Sequence, residues 1–208
     1  MKKIESNDSY LTVKSLKTFY LTLFLITSTI FIFSSSKNPQ KGKDNPPSMT
    51  YIEVQGFGFN IPKDCENITD HELGKLLKQI NPAIDFVAKV NFPFGISLFS
   101  VSTYDAGEKI HIDTAFIETV NFRATLSEGT VDNYRLVDYG IRRFNKKVLR
   151  YKISCVEDSS YSIMYYFMRD DYSRYLNEIK LTCSSQSNLK ASQDFLEKIA
   201  LTANFDKH

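Results

Sequence analysis

Hydrophobic and polar residues alternate most regularly between Val148 and Cys183, and this stretch reads as three consecutive β-strands. Leu149, Tyr151, Ile153 and Cys155 fall on one face with Arg150, Lys152 and Ser154 between them, the period-two pattern of a half-buried strand. The turn formers Glu157-Asp158-Ser159-Ser160 follow. Ser162 to Met168 is then apolar on both faces, which predicts a central strand covered on each side. After the polar run Arg169 to Arg174, Ile179, Leu181 and Cys183 alternate with Glu178, Lys180 and Thr182, so the third strand is again half-buried.

Elsewhere the pattern changes period. Tyr51 to Ile61 reads as an opening strand, interrupted at Gly56 and Gly58 and ended by Pro62. Thr69-Asp70-His71-Glu72 fits a capping box ahead of the apolar stripe Leu73, Leu76, Leu77 and Ile80, which predicts a helix. Asn81-Pro82 stops that helix and can start a second short one, with Ile84, Val87 and Val90 facing inward. Ile96 to Tyr104 and Lys109 to Ile117 can form a hairpin around Asp105-Ala106-Gly107-Glu108. Residues 118 to 135 carry no clear period, and Ser127 to Asn133 looks like a loop. Tyr134 to Phe144 reads as a strand entering the meander through Asn145-Lys146-Lys147. Leu189, Ser192, Phe195, Leu196, Ile199, Ala200 and Ala203 recur at helical spacing and predict a C-terminal helix packed on the sheet.

The N-terminal quarter is different in kind. Thr18 to Ser36 is 19 residues without a charge, rich in Phe, Leu and Ile, and as a helix would be about 28 Å long, enough to span a bilayer. The expectation is export, with residues 1–17 as leader. Ser34 and Ser36 suit a signal peptidase site, whereas the long leader weighs toward an uncleaved anchor, and both readings stand. Residues 37–50 hold three of the six prolines and almost nothing apolar, so they read as a flexible linker. Residues 51–208 then form one domain of sufficient length for a proper core. The chain is formally +2, but its first 50 residues carry 7 basic and 3 acidic groups, leaving the domain 19 basic and 21 acidic. A faintly acidic domain is the wrong balance for a nucleic-acid binder, which excludes that class of partner.

Within residues 51–208 a set of short motifs resembles the PsbP-like family, which shares its fold with the Ran-binding nuclear release factor and with many bacterial exported proteins. The residues that carry the resemblance are Phe57-Gly58-Phe59-Asn60-Ile61-Pro62, Arg143-Phe144-Asn145-Lys146, Tyr165-Tyr166-Phe167, Ile179-Lys180-Leu181-Thr182 and Phe195-Leu196-Glu197-Lys198-Ile199. The resemblance implies an α+β fold, an antiparallel sheet with the C-terminal three-strand meander and helices packed on both faces. It also implies binding and assembly roles rather than one conserved chemistry, so it transfers no catalytic residue and no cofactor.

Candidate chemistry is sparse. Cys65, Cys155 and Cys183 lack the paired spacing of a zinc site and read as small buried hydrophobes. The meander would separate Cys155 from Cys183 by two strand spacings, roughly 10 Å between Cα atoms, beyond the roughly 7 Å that a disulfide bridges. His71, His111 and His208 are scattered, no nucleophile motif is present, and the pairs Glu157-Asp158 and Asp170-Asp171 sit in turns where carboxylates are solvated. The one anomaly is Arg142, Arg143, Lys146, Lys147, Arg150 and Lys152, six bases in eleven residues with no acid among them. A solvated sheet edge and turn is the ordinary reading of such a cluster. The functional reading is a contact for anionic lipid head groups or an unknown acidic protein, helped by a membrane tether at 18–36. The sequence therefore favours an exported, membrane-tethered domain that binds without catalysis, held on the non-cytoplasmic side. An envelope enzyme is the rival class.

Overall fold

The computed structural model of the chain describes residues 48–92, 95–127, 134–184 and 186–205. The leader, membrane-segment and linker expectations lie outside the described residues as far as residue 47, as does the loop expected at 127–133 beyond Ser127, whereas Met49 and Thr50, expected in the linker at 37–50, pair with Pro62 and Ile61. Among the described residues ten strands and three α-helices follow one another as β1 (Met49–Val54), β2 (Phe57–Pro62), β3 (Glu66–Asn67), α1 (Glu72–Ile80), β4 (Ile84–Phe92), β5 (Gly95–His111), α2 (Ile112–Ser127), β6 (Tyr134–Phe144), β7 (Lys147–Val156), β8 (Ser160–Phe167), β9 (Tyr172–Cys183), α3 (Leu189–Thr202) and β10 (Asn204–Phe205). They build a three-stranded sheet in the order β1-β2-β10 and a seven-stranded sheet in the order β3-β4-β5-β9-β8-β7-β6. Every pairing is antiparallel.

The meander is present as β7, β8 and β9, with β8 inside the sheet and β9 at its middle. The doubly apolar sequence of β8 is used as its pattern demands. Ile163 and Tyr165 join a core cluster with Phe57, Phe59, Ile179, Leu181, Leu196, Ile199 and Ala200. Met164, Tyr166 and Met168 join a second cluster with Leu176 of β9 and with Ile112, Ala115, Phe116 and Val120 of α2. Successive side chains of a strand alternate between its faces, so each face of β8 meets a different apolar layer. Tyr161 of β8 pairs with both Cys155 and Cys183, which keeps the two thiols two strands apart.

Four local expectations are corrected. The opening strand is a hairpin, because Gln55 and Gly56 both take positive φ, 52° and 75°, and turn β1 back on β2 as a two-residue loop of this handedness does. Thr69 does not cap α1, whose N-cap is His71 with no side-chain hydrogen bond. Its hydroxyl instead accepts from Val87 N at 2.9 Å and bonds Val87 O at 3.2 Å, tying the helix entry to β4. No second helix follows Asn81. Its Oδ1 accepts from Ala83 N at 3.1 Å, and Ile84 to Phe92 extends as β4, whose Phe86, Ala88 and Val90 enter the main core while Val87 enters a cluster with Ile68 and Leu77. Nor do Ile96 to Ile117 form a hairpin. Asp105 Oδ1 accepts from Gly107 N at 2.8 Å, a local turn that costs only a register shift between Asp105 and Ile110, and β5 runs on beside β9. Ile112 to Ile117 belong to α2 instead.

Candidate interaction surface

The six clustered bases sit on the β6–β7 hairpin, closed by Asn145 at φ 51° and Lys146, with Phe144 opposite Lys147. Paired residues of neighbouring strands share a face. Arg142 thus lies beside Leu149, and Gly140 beside Tyr151, whereas Arg143, Ile141 and Tyr139 lie beside Val148, Arg150 and Lys152 on the other side. A single run in the sequence becomes two half-clusters on opposite faces.

Most of these charges have internal partners. Arg142 Nη1 donates to Glu197 Oε2 of α3 at 2.5 Å, and its guanidinium stands 4.7 Å from the centroid of the Tyr151 ring. The same carboxylate oxygen accepts from Tyr165 Oη at 3.2 Å, and Tyr151 Oη donates to Asp138 Oδ2 at 3.0 Å. Gly140 leaves space for this ring, since a Cβ there would stand 3.3 Å from it. Burial works against the Arg142 charge, but the Glu197 hydrogen bond with the Tyr165 and Glu197 fields more than offsets it, and the pKa is raised. Burial first, then the Glu197 charge, raises the Tyr165 phenol well above its ordinary value.

Lys147 Nζ donates to the carbonyls of Leu201 and Ala203 at 2.5 and 2.7 Å, closing the C-terminal end of α3. Arg150 Nε donates to Asp113 Oδ1 of α2 at 2.6 Å, and that hydrogen bond holds the Asp113 carboxyl below the ordinary carboxylate range. Lys152 is buried, its Nζ 5.2 Å from the centroid of the Tyr166 ring. Arg143 and Lys146 remain exposed, without a hydrogen bond or ion pair among the described residues. The solvated-edge expectation therefore holds for these two and fails for Arg142, Lys147, Arg150 and Lys152, whose partners Glu197, Leu201, Ala203, Asp113 and Tyr166 come from other elements.

What the sequence reading missed is the company these two bases keep. β6 is one edge of the seven-stranded sheet. Tyr139 and Ile141, on the Arg143 side, are 50% and 47% exposed. Their alternation with Gly140 and Arg142 was the available signal. A register shift between Leu136 and Asp138 interrupts the strand, leaving Tyr139 to Phe144 regular.

The other candidates stay apart. His71 lies 3.9 Å from Glu66, and His111 4.0 Å from Asp113, while no group of three His, Cys, Asp or Glu among the described residues could hold a metal ion. Asp158 accepts from Arg135 at 2.6 Å in its turn. Cys155 and Cys183 are buried thiols outside any disulfide among the described residues, and burial, then the Asp64 charge, pushes the Cys65 thiol up to about 11. No helix among the described residues is long and apolar enough to cross a membrane.

No protein-family profile matches the chain, and no curated protein matches it. Solved structures do. The solution structure of cyanobacterial PsbP from Synechocystis sp. PCC 6803 is similar to it with a TM-score of 0.52 at 11% identity, over 81% of this chain and 98% of that one. The crystal structure of LpqN, involved in cell envelope biogenesis of Mycobacterium tuberculosis, aligns with a TM-score of 0.39 at 6% identity, over 84% of this chain and 92% of that one. The chain thus has the α+β fold of PsbP, as the motifs around Phe57–Pro62 and Phe195–Ile199 led one to expect.

Proposed function

We propose that the chain is a binding or accessory domain without catalysis, carried on the non-cytoplasmic side of a membrane and tethered there by residues 18–36. The observation that carries this reading is the sorting of the basic cluster. Four of its six side chains join α2, α3 and the sheet, and the two left over, Arg143 and Lys146, project with Tyr139 and Ile141 from an open sheet edge. Exposed Tyr and Arg are residues that interfaces favour.

The place where the expected tether enters supports a contact away from the anchoring membrane. Ser48 O accepts from Lys63 N at 2.9 Å, three residues before β3, the edge strand opposite β6. Six strand spacings put these edges about 29 Å apart. A protein partner suits such an edge better than the head groups of the anchoring bilayer. For the enzyme alternative, the basic cluster borders one set of acids and phenols, Asp138, Tyr151, Glu197 and Tyr165. Its groups bond one another and Arg142, and clamp α3 to β6.

Protease accessibility in intact cells tests the reading. A C-terminally tagged chain is expected to fractionate with membranes and to lose its tag to external protease. A chain beginning at Ser48 is expected to stay soluble at moderate salt, where screening weakens surface attraction. A protease-resistant, cytoplasmic chain refutes the proposal.

A further inference from the structure

β6 runs Tyr134–Phe144 and pairs with β7 on one side only, its other edge meeting no described strand. An open edge is a row of backbone donors and acceptors that another strand can complete. Edges are commonly guarded by a bulge, and the Leu136/Asp138 irregularity does this for the first part of β6. The regular remainder, Tyr139 to Phe144, spans about 20 Å at roughly 3.3 Å per residue, room for a six-residue added strand.

We infer that the outer edge of Tyr139–Phe144 takes an extended acidic segment of a partner protein as an eighth strand. The inference rests on the binding role proposed above and names its surface and the chemistry of its partner. Charge decides the occupant. Arg143 and Lys146 stand at the hairpin end without a hydrogen bond or ion pair among the described residues, while Arg142, on the opposite side of the same strand, is already paired with Glu197. An added strand rich in Glu or Asp complements them, whereas pairing of β6 with a second copy would bring two sets of these bases onto one short ladder. Tyr139 and Ile141 supply exposed apolar positions for alternate side chains of the added strand. Ile117, one helical turn beyond the Asp113 that binds Arg150, is also 46% exposed. The anchoring bilayer is the less suited source of negative charge, because the expected tether joins at the far edge of the sheet.

The test uses the full chain in zwitterionic lipid nanodiscs and a synthetic ten-residue peptide alternating Val and Glu. Fluorescence polarisation is expected to show binding that weakens as salt rises, and that is about tenfold or more tighter than for the same peptide with Lys in place of Glu. Arg143→Glu with Lys146→Glu is expected to weaken it by a similar factor without moving the melting temperature. Hydrogen exchange is expected to slow within residues 139–144 when the peptide is added, and not in β3 or β4. N-methylation of the peptide amides along one edge is expected to abolish binding in one of the two possible phases, because an added strand bonds through one edge only. No binding, equal binding of the Lys peptide, retained binding with both methylated forms, or unchanged exchange at 139–144 overturns the inference. So does protection of 139–144 without peptide, whether it follows chain concentration, the mark of a second copy, or appears only on anionic nanodiscs, the mark of lipid. A chain that fails these tests yet is exported keeps its proposed role and loses only this surface. A cytoplasmic chain loses the role whatever the peptide does.

Discussion

Lys147 offers the sharpest test of how the basic cluster is used. Read along the sequence, Arg143 and Lys147 belong to one solvated patch, and reversing both charges should leave the melting temperature nearly unchanged. In the structure they separate, since Arg143 is exposed and Lys147 Nζ holds the Leu201 and Ala203 carbonyls at the end of α3. Lys147→Met keeps the stem and removes the ammonium. A hydrogen bond to a charged group contributes about 1.5–3 kcal/mol, and a cation at a helix C-terminus about 0.3–1 kcal/mol. Two such bonds at the low end with the helix-end contribution give about 3–4 kcal/mol. Burial of the ammonium, which lowers the Lys147 pKa, offsets about 1 kcal/mol of this, and the expected loss is about 2–3 kcal/mol. For a domain of this size that lowers the melting temperature by about 4–12 °C. Lys147→Glu should cost more, because a carboxylate would then face two carbonyls and the negative end of the helix. Arg143→Glu should stay within about 0.5 kcal/mol. Thermal denaturation of the three variants, followed by circular dichroism at neutral pH, measures all of this. Equal melting temperatures for wild type and Lys147→Met, or an equal loss in Arg143→Glu, would refute the assignment.

Gly74→Ala in α1 should destabilise by more than about 2 kcal/mol, although such a change ordinarily favours a helix by about 1 kcal/mol, because the added Cβ would lie 2.0 Å from the Ile68 carbonyl. A rise in the denaturant midpoint would contradict it. For Asp113, the Arg150 hydrogen bond lowers the pKa from 3.8, so the stability it supplies is present above that value and is lost as pH falls through the folded one. Asp113→Asn should therefore flatten the acid limb of melting temperature against pH, and an unchanged limb would sink the assignment. Arg142→Met and Glu197→Gln should couple by about 1–2 kcal/mol in a double-mutant cycle, whereas strict additivity would mean that the ion pair contributes nothing. Peptide mapping after oxidation should recover no Cys155–Cys183 link, since Tyr161 stands between them. Finding that link would mean that the strand order is wrong.

The parts of this fold that were legible in the sequence are those whose period admits one answer. Ile163 to Met168, apolar or aromatic at every position, has to be covered on both faces, and it is buried from Ile163 to Tyr166. The stripes of α1 and α3 have no strand alternative, and the alternation of Leu149, Tyr151 and Ile153 has no helical one. Where a stretch satisfies two periods, distant pairing decided. Ile84, Val87 and Val90 fit one helix face as well as positions along a strand, and it was β5, carrying Phe99 and Val101 opposite Ala88 and Phe86, that drew them out straight. Asp105 to Gly107 can close a hairpin or fold into a bulge, and β9, some seventy residues later, selected the bulge by continuing the ladder to His111. The surface follows the same rule. Composition and spacing alone marked Arg142 to Lys152 as one basic run, because neighbours in sequence are counted together. Only the tertiary structure brought Glu197, 55 residues from Arg142, and Asp113, 37 from Arg150, against that run. An ion pair between remote segments leaves no local pattern in the chain, so which bases are structural and which are left to meet a partner is decided by the pleat and by what packs on each face.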